Sequence, residues 1–310
     1  MFNIPIAFII YKRLNTTERV FRIIQLIKPK KIYLIADGPK SDSESTLCKN
    51  VRSFVESNID WDCQTIKIYS ENNLGCAKRV QTGLDHVFKL EQMAIILEDD
   101  TLPNPSFFQF CEELLLRYAK NENVAHISGC NLYQNLFKAK ESYCFSSIIN
   151  IWGWATWKRA WEKYHINMPT WNNTEKDKFL SKWCSTRNQK NGMRKVFDLH
   201  CDNPDPWTWD SQWVFACWKN NGLSIIPSQN LVSNIGIGPD ATNTKVKRHL
   251  EIFPERINQI SFPLIHPIVE LDRAFDKAYI SKTKLPPIRT FKNFAKSLIE
   301  FFNFQKKSGK

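Results

Sequence analysis

The sequence lacks the features that mark several common protein classes. No apolar stretch approaches the length of a transmembrane helix, and the apolar run at residues 4–11 has neither a basic segment before it nor a small-residue cleavage site after it. That run is therefore expected to be a first strand and not a signal peptide. The nine cysteines form no C-x-x-C pair and have no histidines at zinc spacing, so neither a zinc site nor a disulfide framework is indicated. A dispersed, odd set favours reduced thiols in a cytoplasmic compartment, although one or two bridges stay open.

Glycine is also scarce, with ten residues in a chain of 310, and no glycine-rich phosphate loop stands near the N-terminus. That absence argues against a nucleotidyltransferase. The net charge of +12 predicts attraction to polyanions such as nucleic acid, anionic lipid or phosphorylated substrates. No recognised nucleic-acid-binding motif is present, so nucleic acid is not expected as a partner. A hydrophobic content of 43% suits one large α/β domain, alone or with an appendage.

Acidic residues nearly disappear from the C-terminal stretch at residues 282–310, where Glu300 is the exception. Lysines and an arginine alternate there with phenylalanines and aliphatic residues, and Pro286-Pro287 is expected to mark a linker before the stretch. A basic amphipathic helix of this kind can lie on an anionic membrane surface. An ordinary helix that packs its phenylalanine face on the domain fits the pattern equally well.

Alternating apolar and amphipathic segments predict an α/β protein with a mixed, mostly parallel sheet of the doubly wound type, flanked by helices. Strands are predicted at residues 4–10, 31–36, 65–69, 94–97, 124–128 and 224–226, and helices at 15–27, 77–88, 107–119 and 210–220. A further helix carries Leu47, Val51, Phe54 and Val55 on one stripe, and residues 176–199 are helical and charged. Residues 148–161 are tryptophan-rich and combine a strand with a helix start.

Three consecutive carboxylates, Glu98, Asp99 and Asp100, end the apolar run at residues 93–97. A parallel strand buried on both faces has such a sequence, and open α/β sheets bind ligands at the carboxyl ends of their strands. Adjacent acids repel one another unless a cation compensates, and oxygen ligands favour Mn²⁺ or Mg²⁺. A solvated acidic turn is the alternative. The buried-type strand before the acids and the proline-containing turn after them favour a metal and phosphate site.

Other polar segments are expected at the same rim of the sheet. Asp37 follows the second predicted strand in an Asp-Gly-Pro turn, and residues 72–79 form a turn that opens a helix with Arg79 in it. An aspartate before glycine is also a common turn former, and residues 72–79 are equally compatible with an ordinary surface helix start.

Tryptophan is concentrated in two later segments. Asp210 stands at a predicted helix N-terminus among Trp207, Trp209 and Trp213, where helix capping alone could explain it. The surrounding rings would limit solvent and raise the basicity of the carboxylate, while the helix dipole acts in the opposite direction. Residues 151–157 contain three more tryptophans, and core packing accounts for one or two of them.

With these motifs in this order, the chain resembles the GT-A glycosyltransferases that use nucleotide-diphosphate sugars, in particular the branch that looks like N-acetylglucosaminyltransferase I and bacterial sugar transferases of similar layout. The resemblance covers roughly the first two thirds of the chain. Its most specific motif is Glu98-Asp99-Asp100 followed by Pro103 and Phe107. The expected fold is therefore GT-A, a Rossmann-like architecture, with a helical basic tail at the C-terminus.

The resemblance implies roles for residues on the nucleotide side. Asp37 would accept the uracil N–H, and Arg13 would approach the base or the phosphates. Arg79 would reach the donor from the helix start. Asp100 would bind the metal, Mn²⁺ or Mg²⁺, directly, whereas Glu98 and Asp99 would hold ribose or donor-sugar hydroxyls. Weak metal binding in the absence of the donor is expected from a single carboxylate ligand.

The resemblance also implies roles on the acceptor side. Asp210 would remove the proton of the acceptor hydroxyl, with Asp205 as the alternative base. Trp154, and with it Trp152, would stack on a sugar. The loop at residues 234–244 resembles a flexible segment that covers the donor, but Asn243 stands where relatives often have a histidine after Ala-Thr. That departure leaves a metal or phosphate role for the loop open.

The function expected on these grounds is that of a metal-dependent, inverting hexosyl- or N-acetylhexosaminyltransferase. It would move a sugar from a UDP-sugar to a saccharide acceptor, lipid-linked or not, in cell-surface glycan or glycoprotein synthesis. A retaining transferase, and an inactive transferase fold that binds nucleic acid or anionic membrane, are the alternatives. The expected organisation is a transferase domain at residues 1–245, divided into a nucleotide-sugar half (1–128) and an acceptor half (129–245), followed by an extension at 246–310. The expected location is cytoplasmic, with the basic tail as a peripheral membrane contact.

Overall fold

The computed structural model describes residues 1–137, 140–236 and 257–282. The expected basic tail beyond residue 282, the part of the predicted donor-covering loop from residue 237 onward, and the predicted domain boundary at residue 245 lie outside the described residues.

A mixed sheet of eight strands forms the centre of the molecule. Its strands, in spatial order, are β3 (Gln64–Tyr69), β2 (Lys31–Ala36), β1 (Ile6–Ile10), β4 (Met93–Glu98), β8 (Trp154–Trp157), β6 (Val124–Ser128), β9 (Leu223–Pro227) and β7 (Tyr143–Ser146). Strands β3, β2, β1 and β4 run parallel to one another, and β6 runs parallel to β9. Only β8 and β7 run antiparallel to their neighbours. This arrangement confirms the predicted mixed, mostly parallel sheet.

A second, two-stranded antiparallel ribbon lies beside the end of β4. It pairs β5 (Thr101–Pro103) with β10 (Val232–Asn234), and Asn234 stands opposite Thr101. Because β5 begins directly after the acidic triplet, this pairing holds the chain around residue 234 against the carboxyl end of β4.

Helices cover both faces of the sheet. They are α1 (Leu14–Ile27), α2 (Asp42–Ser57), α3 (Cys76–Leu90), α4 (Ser106–Arg117), α5 (Lys158–Trp161), α6 (Lys176–Trp183), α7 (Arg187–His200), α8 (Asp210–Lys219) and α9 (Arg273–Lys282). One core joins α1, α2 and α4 to one face of the sheet, and a second joins α3 and α5 to the other. Helix α8 contributes to both cores, because Trp213 packs in the second and Phe215 and Trp218 pack in the first.

The side-chain alternation of β4 decides where the acidic triplet points. Ile95 and Leu97 belong to the core under α1, whereas Ala94 and Ile96 belong to the core under α3 and α8. Since successive side chains of a strand point to opposite faces, Glu98 continues the series that faces α3 and α8. Glu98 is therefore directed toward the layer of α3 and α8, and Asp99 and Asp100 lie in the turn that follows the strand.

The predicted elements agree closely with the observed ones where the apolar runs are long, as at β2 and β6. The stripe predicted for α2 is partly wrong, because Cys48 takes the buried position and Leu47 is exposed. The charged stretch at residues 176–199 is two helices, α6 and α7. The short strands β5, β7 and β10 and the helix α9 were not predicted.

Residues 257–282 pack on the β7 edge of the sheet. The backbone N–H of Asp272 donates to the carbonyl of Phe145, and Asp276 in α9 accepts hydrogen bonds from Ser147 N–H and from the hydroxyls of Ser146 and Ser147. Burial raises the pKa of Asp276, and these hydrogen bonds oppose the rise. None of the helices among the described residues has the length and apolarity needed to cross a bilayer.

Candidate active site

The carboxyl ends of β1, β2 and β4 meet at one rim, as the parallel pairing requires. In the register, Ile10 lies beside Ala36, and Ile9 lies beside Glu98. The residues that follow these strands form what we call the strand-end cluster: Arg13, Asp37, Glu98, Asp99 and Asp100. The sequence-based expectation that these segments gather at one rim agrees with the structure.

Arg13 supplies the positive charge that the acidic triplet needs. Its Nη2 donates to Oδ1 of Asp99 and, at 2.8 Å, to Oδ2 of Asp100. The other oxygen of Asp99 accepts the backbone N–H of Tyr11 at 3.2 Å. Burial raises the pKa of Asp99 to about 6, although the charge of Arg13 lowers it. The expected contact of Arg13 with a nucleotide stays a prediction, because its guanidinium is occupied by two carboxylates here.

Glu98 faces the opposite layer and has a different environment. Its pKa is raised to about 8 by burial and by the charges of Asp100, Asp99 and Asp210. The charge of Arg13 acts in the opposite direction and lowers the pKa. The backbone N–H of Glu98 is held by the hydroxyl of Thr101 at 2.8 Å, which closes the tight turn after β4. The segment of Asp210 packs close to this strand, because Ile96 of β4 pairs with Trp154 and the Trp154 ring stacks on Trp209 at 5.3 Å.

Asp37 organises the turn before α3. Its Oδ1 accepts the N–H groups of Gly38 at 3.0 Å and Leu74 at 2.9 Å, and its Oδ2 accepts the N–H of Gly75 at 3.0 Å. Burial nevertheless raises the pKa of Asp37, because it outweighs these bonds and the charge of Arg79. The turn-forming interpretation of Asp37 therefore agrees with the structure, and its contact with a base stays a prediction.

Arg79 lies in the first turn of α3, behind that aspartate. Its side chain is 6% exposed, and its Nε has no hydrogen-bond partner within the described part of the chain. Burial lowers the pKa of Arg79, and Asp37 opposes the lowering. Nearby, Arg52 donates to the carbonyl oxygens of Asp37 and Ser70 at 2.9 Å each.

Cys76 begins α3 and is exposed in the cleft between the two layers. Desolvation and the charges of Glu98, Asp210, Asp37 and Asp100 raise its pKa, in that order. These interactions identify Cys76 as a residue between the strand-end cluster and α8. Sequence reasoning overlooked it because a cysteine without a metal-type spacing carries no recognisable signal.

Asp210 is the first residue of α8, and the residue at its N-cap position is Trp209. Oδ1 of Asp210 accepts the hydroxyl of Thr208 and the N–H of Ser211, both at 2.7 Å. The half-buried carboxylate is thus oriented through one oxygen, which leaves Oδ2 without a protein partner among the described residues. Asp205, the alternative base, is exposed in the loop before α8, where its backbone N–H donates to Asn203.

Trp154 does not have the surface position that a sugar platform needs. It is 0% exposed, and its ring is stacked between His126, at a centroid distance of 5.2 Å, and Trp209, at 5.3 Å. Both faces of the indole are therefore covered, and the expectation that one of them stacks on a pyranose is wrong in this structure. Trp154 instead supports the segment that carries Asp210. Trp152 is half-buried.

The ribbon of β5 and β10 brings a glycine against the acidic triplet. The N–H of Ile235 donates to the carbonyl of Asp100 at 2.8 Å. A Cβ atom added to Gly236 would lie 2.1 Å from Oδ2 of Asp100 and 2.6 Å from Nη1 of Arg13. Only a residue without a side chain permits this approach, so the chain that leaves β10 passes directly over the carboxylates.

The donor set at this rim fits a divalent cation of the hard or borderline type. Asp100 uses only Oδ2 in its bond to Arg13, and the carboxylate of Glu98 accepts no hydrogen bond within the described residues. These are oxygen ligands, which Mn²⁺ and Mg²⁺ prefer. In the part of the chain that the structure describes, no group of three or more His, Cys, Asp or Glu side chains is arranged to hold a metal.

No protein-family model matches the sequence, and no curated protein matches it. Among solved structures, the mannosyltransferase PcManGT from Pyrobaculum calidifontis, determined with GDP-Man and Mn²⁺, is similar with a TM-score of 0.39 and 13% identity over 69% of each chain. TarS from S. aureus is similar with a TM-score of 0.39 and 9% identity, over 74% of this chain and 59% of the TarS chain. HddC from Yersinia pseudotuberculosis is similar with a TM-score of 0.31 and 12% identity, over 53% of this chain and 80% of the HddC chain.

Proposed function

We propose that the protein is a metal-dependent, inverting glycosyltransferase that moves a hexosyl or N-acetylhexosaminyl group from a UDP-sugar to a saccharide acceptor. The observation that carries this proposal is that the segment of Asp210 packs against the strand with the acidic end. Ile96 of β4 pairs with Trp154 of β8, and the Trp154 ring stacks at 5.3 Å on Trp209, the residue before Asp210. A glycosyl transfer needs such a pair of sites, one for the departing diphosphate and one for the attacking hydroxyl.

Asp100 would hold the divalent cation, Mn²⁺ or Mg²⁺, and Glu98 and Asp99 would hold ribose or donor-sugar hydroxyls. When bound, the ion would neutralise the charge that develops on the diphosphate leaving group. The described chain offers few ligands for it, so phosphate oxygens and water are expected to complete its coordination. Arg13 keeps Asp100 in place through the bond to Oδ2, and Asp99 anchors that arginine from its other side.

The start of α3 would bind the diphosphate and the base. The N–H groups of a helix N-terminus favour anions, and the buried guanidinium of Arg79 has an unpaired Nε nearby. Asp37 accepts one N–H at Oδ2, so that oxygen keeps a lone pair for the imide N–H of a uracil. These features are compatible with a UDP donor.

Asp210 would act as the general base. In the reaction, the acceptor oxygen bonds to the anomeric carbon, the bond from that carbon to the diphosphate oxygen breaks, and the hydroxyl proton passes to Oδ2 of Asp210. Thr208 and Ser211 hold Oδ1 and thereby direct the other oxygen. A retaining transferase of the same fold needs no base on the acceptor side, so the behaviour of an Asp210 variant distinguishes the two mechanisms.

The proposed role is the synthesis of a cell-surface glycan or glycoprotein in the cytoplasm. The basic residues beyond residue 282 would contact an anionic membrane that carries a lipid-linked acceptor. The charge of +12 favours such a surface over a neutral one. The alternative, an inactive transferase fold that binds nucleic acid, draws on the same charge.

The proposal is tested by titrating the full chain with UDP in the presence and absence of Mn²⁺. Binding is measured by the change in tryptophan fluorescence and by the protection of the exposed Cys76 from alkylation. We expect UDP binding that requires Mn²⁺ and only weak Mn²⁺ binding without UDP. Asp100→Asn should lose the binding of UDP and of Mn²⁺. The matched control Asp60→Asn, which changes an exposed aspartate, should keep both. Release of UDP from a panel of UDP-sugars, with and without EDTA, then identifies the donor.

Two results would contradict the proposal. Tight Mn²⁺ binding by the nucleotide-free protein would reject the assignment of a nearly isolated carboxylate ligand. Salt-sensitive binding of an oligonucleotide, without any effect of UDP, would favour the alternative function.

A further inference from the structure

Three polar atoms near Asp210 are buried without any hydrogen-bond partner in the described part of the chain. Nε1 of Trp154 lies inside the stack of tryptophan rings, and the other two are the hydroxyl oxygen of Tyr164 and Nδ1 of His200. An unpaired polar atom in a protein interior costs free energy, because it has lost water and gained nothing in exchange. Two such atoms beside one carboxylate point to a ligand that supplies the missing hydrogen bonds.

Tyr164 lies on the α5 side of the cleft. Its ring stacks on Trp161 at a centroid distance of 4.5 Å and an angle of 9°, and it contacts Trp213 at 6.5 Å. Residues three apart share a face of a helix, so Trp213 and Asp210 both turn toward Tyr164. Burial and the charge of Asp210, followed by those of Asp85 and Cys76, raise the pKa of Tyr164, which keeps its hydroxyl protonated as a donor.

His200 lies on the other side of Asp210, as the last residue of α7. It is 2% exposed, and burial lowers its pKa although the charge of Asp210 opposes the change. A neutral imidazole has one nitrogen that donates and one that accepts, which is the combination a sugar hydroxyl can satisfy. The other groups that face it are the ring of Trp207 and the carboxylate of Asp210.

Trp207 is the exposed member of this group. Its ring lies 4.3 Å from that of His200 and is 41% exposed, although the other tryptophans around α8 are buried. It stands three residues before Asp210 in the loop that leads into α8, and Thr208 ties this loop to the Asp210 carboxylate. An exposed indole beside polar atoms suits the apolar C–H face of a pyranose.

We propose that Tyr164, His200 and Trp207 form the acceptor subsite around Asp210, where a pyranose stacks on Trp207 and its hydroxyls pair with the Tyr164 hydroxyl and the His200 imidazole. This inference rests on the proposed function and names the acceptor residues of the same site. The Trp207 ring lies 4.3 Å from the His200 ring, so the sugar reaches that imidazole only if the indole shifts while it keeps one face on the pyranose. The subsite thus orders the acceptor hydroxyl for Asp210, and these three residues bind the acceptor without moving its proton.

Tyr164→Phe is the most selective test, because it removes the unpaired hydroxyl and keeps the stacked ring. We expect the KM for the acceptor to rise about tenfold, while UDP binding stays unchanged. The free energy of unfolding should not fall, since no protein hydrogen bond is lost. The matched control is Tyr118→Phe, whose hydroxyl is paired with Tyr143 at 2.6 Å: it should lower stability and leave the acceptor KM unchanged.

Trp207→Ala is the second variant, with Leu199→Ala as a control that also truncates an exposed apolar side chain, next to His200. Only the first is expected to raise the acceptor KM, by about tenfold or more. An unchanged acceptor KM in both Tyr164→Phe and Trp207→Ala, in an enzyme that binds UDP and releases it from a donor, overturns the acceptor subsite and leaves the proposed function intact.

If the wild-type protein neither binds UDP nor releases it, the proposed function fails, and the subsite is judged by direct binding. The full chain, with Mn²⁺ and UDP present, is applied to a printed panel of oligosaccharides. Binding that Tyr164→Phe and Trp207→Ala weaken supports the subsite. No binding by the wild type, or equal binding by all variants, overturns it.

Discussion

The strand-end cluster and the residues around Asp210 differ in how their polar side chains are held. Arg13, Asp37 and Asp99 are paired with one another or with backbone N–H groups. Tyr164 and His200 instead keep buried atoms without partners in the described chain. Most side chains of the first region are fixed by the protein itself, apart from the carboxylate of Glu98, whereas the second region depends more on another molecule to supply its hydrogen bonds.

This difference follows from the elements that carry the two regions. The strand-end cluster lies on short turns directly after buried parallel strands, where backbone N–H groups of the following helix are available at fixed positions. The residues around Asp210 come from the ends of α5, α7 and α8 and from a loop, where a backbone N–H, that of Ser211, serves Asp210 but none serves Tyr164 or His200. Preorganised charge in the first region suits the proposed donor site, which binds the same nucleotide in every reaction. Adaptable pairing in the second region suits the proposed acceptor site.

The largest effect should come from Asp210→Asn, which keeps the hydrogen bonds of Oδ1 but removes the base. We expect kcat/KM for sugar transfer to fall about 10²- to 10⁴-fold. Asp205→Asn tests the alternative base and should keep most of the activity, because that carboxylate is exposed in the loop. Undiminished transfer by Asp210→Asn would favour the retaining mechanism, and loss only in Asp205→Asn would reassign the base.

Asp37→Ala measures how much the strand-end cluster depends on its internal bonds. The variant leaves three backbone N–H groups without their acceptor, so the free energy of unfolding should fall by about 2–4 kcal/mol in urea titrations. The exposed Asp60→Ala should change it by less than about 0.5 kcal/mol. Equal stability of the two variants would show that the pairing of Asp37 contributes nothing to the fold.

Lowering the pH should reduce the free energy of unfolding, because His126, which is buried behind Asp210, becomes protonated. Burial lowers the pKa of this histidine to about 4, against 6.5 for the free side chain. As the pH falls, the unfolded chain therefore takes up the proton before the folded chain does. The stability that depends on a neutral His126 is complete above pH 6.5 and is lost as the pH falls through 4. The shift corresponds to at most about 3 kcal/mol.

The measurement is the urea midpoint between pH 7 and pH 4 for the wild type, His126→Phe and the exposed control His86→Gln. Carboxylates titrate in the same range in all three proteins, so the difference between His126→Phe and the others isolates this histidine. Parallel curves for all three would contradict a neutral, buried His126 beneath Trp154 and Trp213.

Gly236→Ala should have the smallest effect, and it acts on the strand-end cluster alone. The new methyl group would force the side chains of Asp100 and Arg13 apart, and apparent affinity for Mn²⁺ with UDP should fall about five- to tenfold. Gly192→Ala in α7 is the matched control, because nothing lies within 4 Å of its added Cβ atom. Equal affinity in both variants would show that the pairing of Arg13 with Asp100 does not order the metal site.

Sequence patterns predicted those strands well that are marked by neighbouring residues in the chain. Continuous apolar runs predicted β2 and β6 with their observed bounds, and strand ends followed by polar turns predicted the rim. Short strands escaped prediction: β5 and β10 are three residues each and exist because they pair with one another. Pairing partners far apart in the chain leave no periodic signal in a window of sequence.

The candidate site was predicted unevenly for the same reason. The role of Asp210 stays a prediction, whereas Trp154 was expected to stack on a sugar and is buried between His126 and Trp209. A tryptophan in a strand looks the same in sequence whether its ring faces a cleft or a core. Tyr164 and His200 had no signal at all, since an unpaired atom is recognised only when every neighbour is known.

The sequence by itself determined the order of strands and helices and the chemical groups that follow β1, β2 and β4, because apolar periodicity and turn residues act over a few positions. Only the tertiary structure decided that Arg13 neutralises two acids 86 and 87 positions away, and that Tyr164 and His200 near Asp210 keep unpaired atoms. Those outcomes depend on packing between distant segments, where burial and charge are settled by atoms that no local pattern contains.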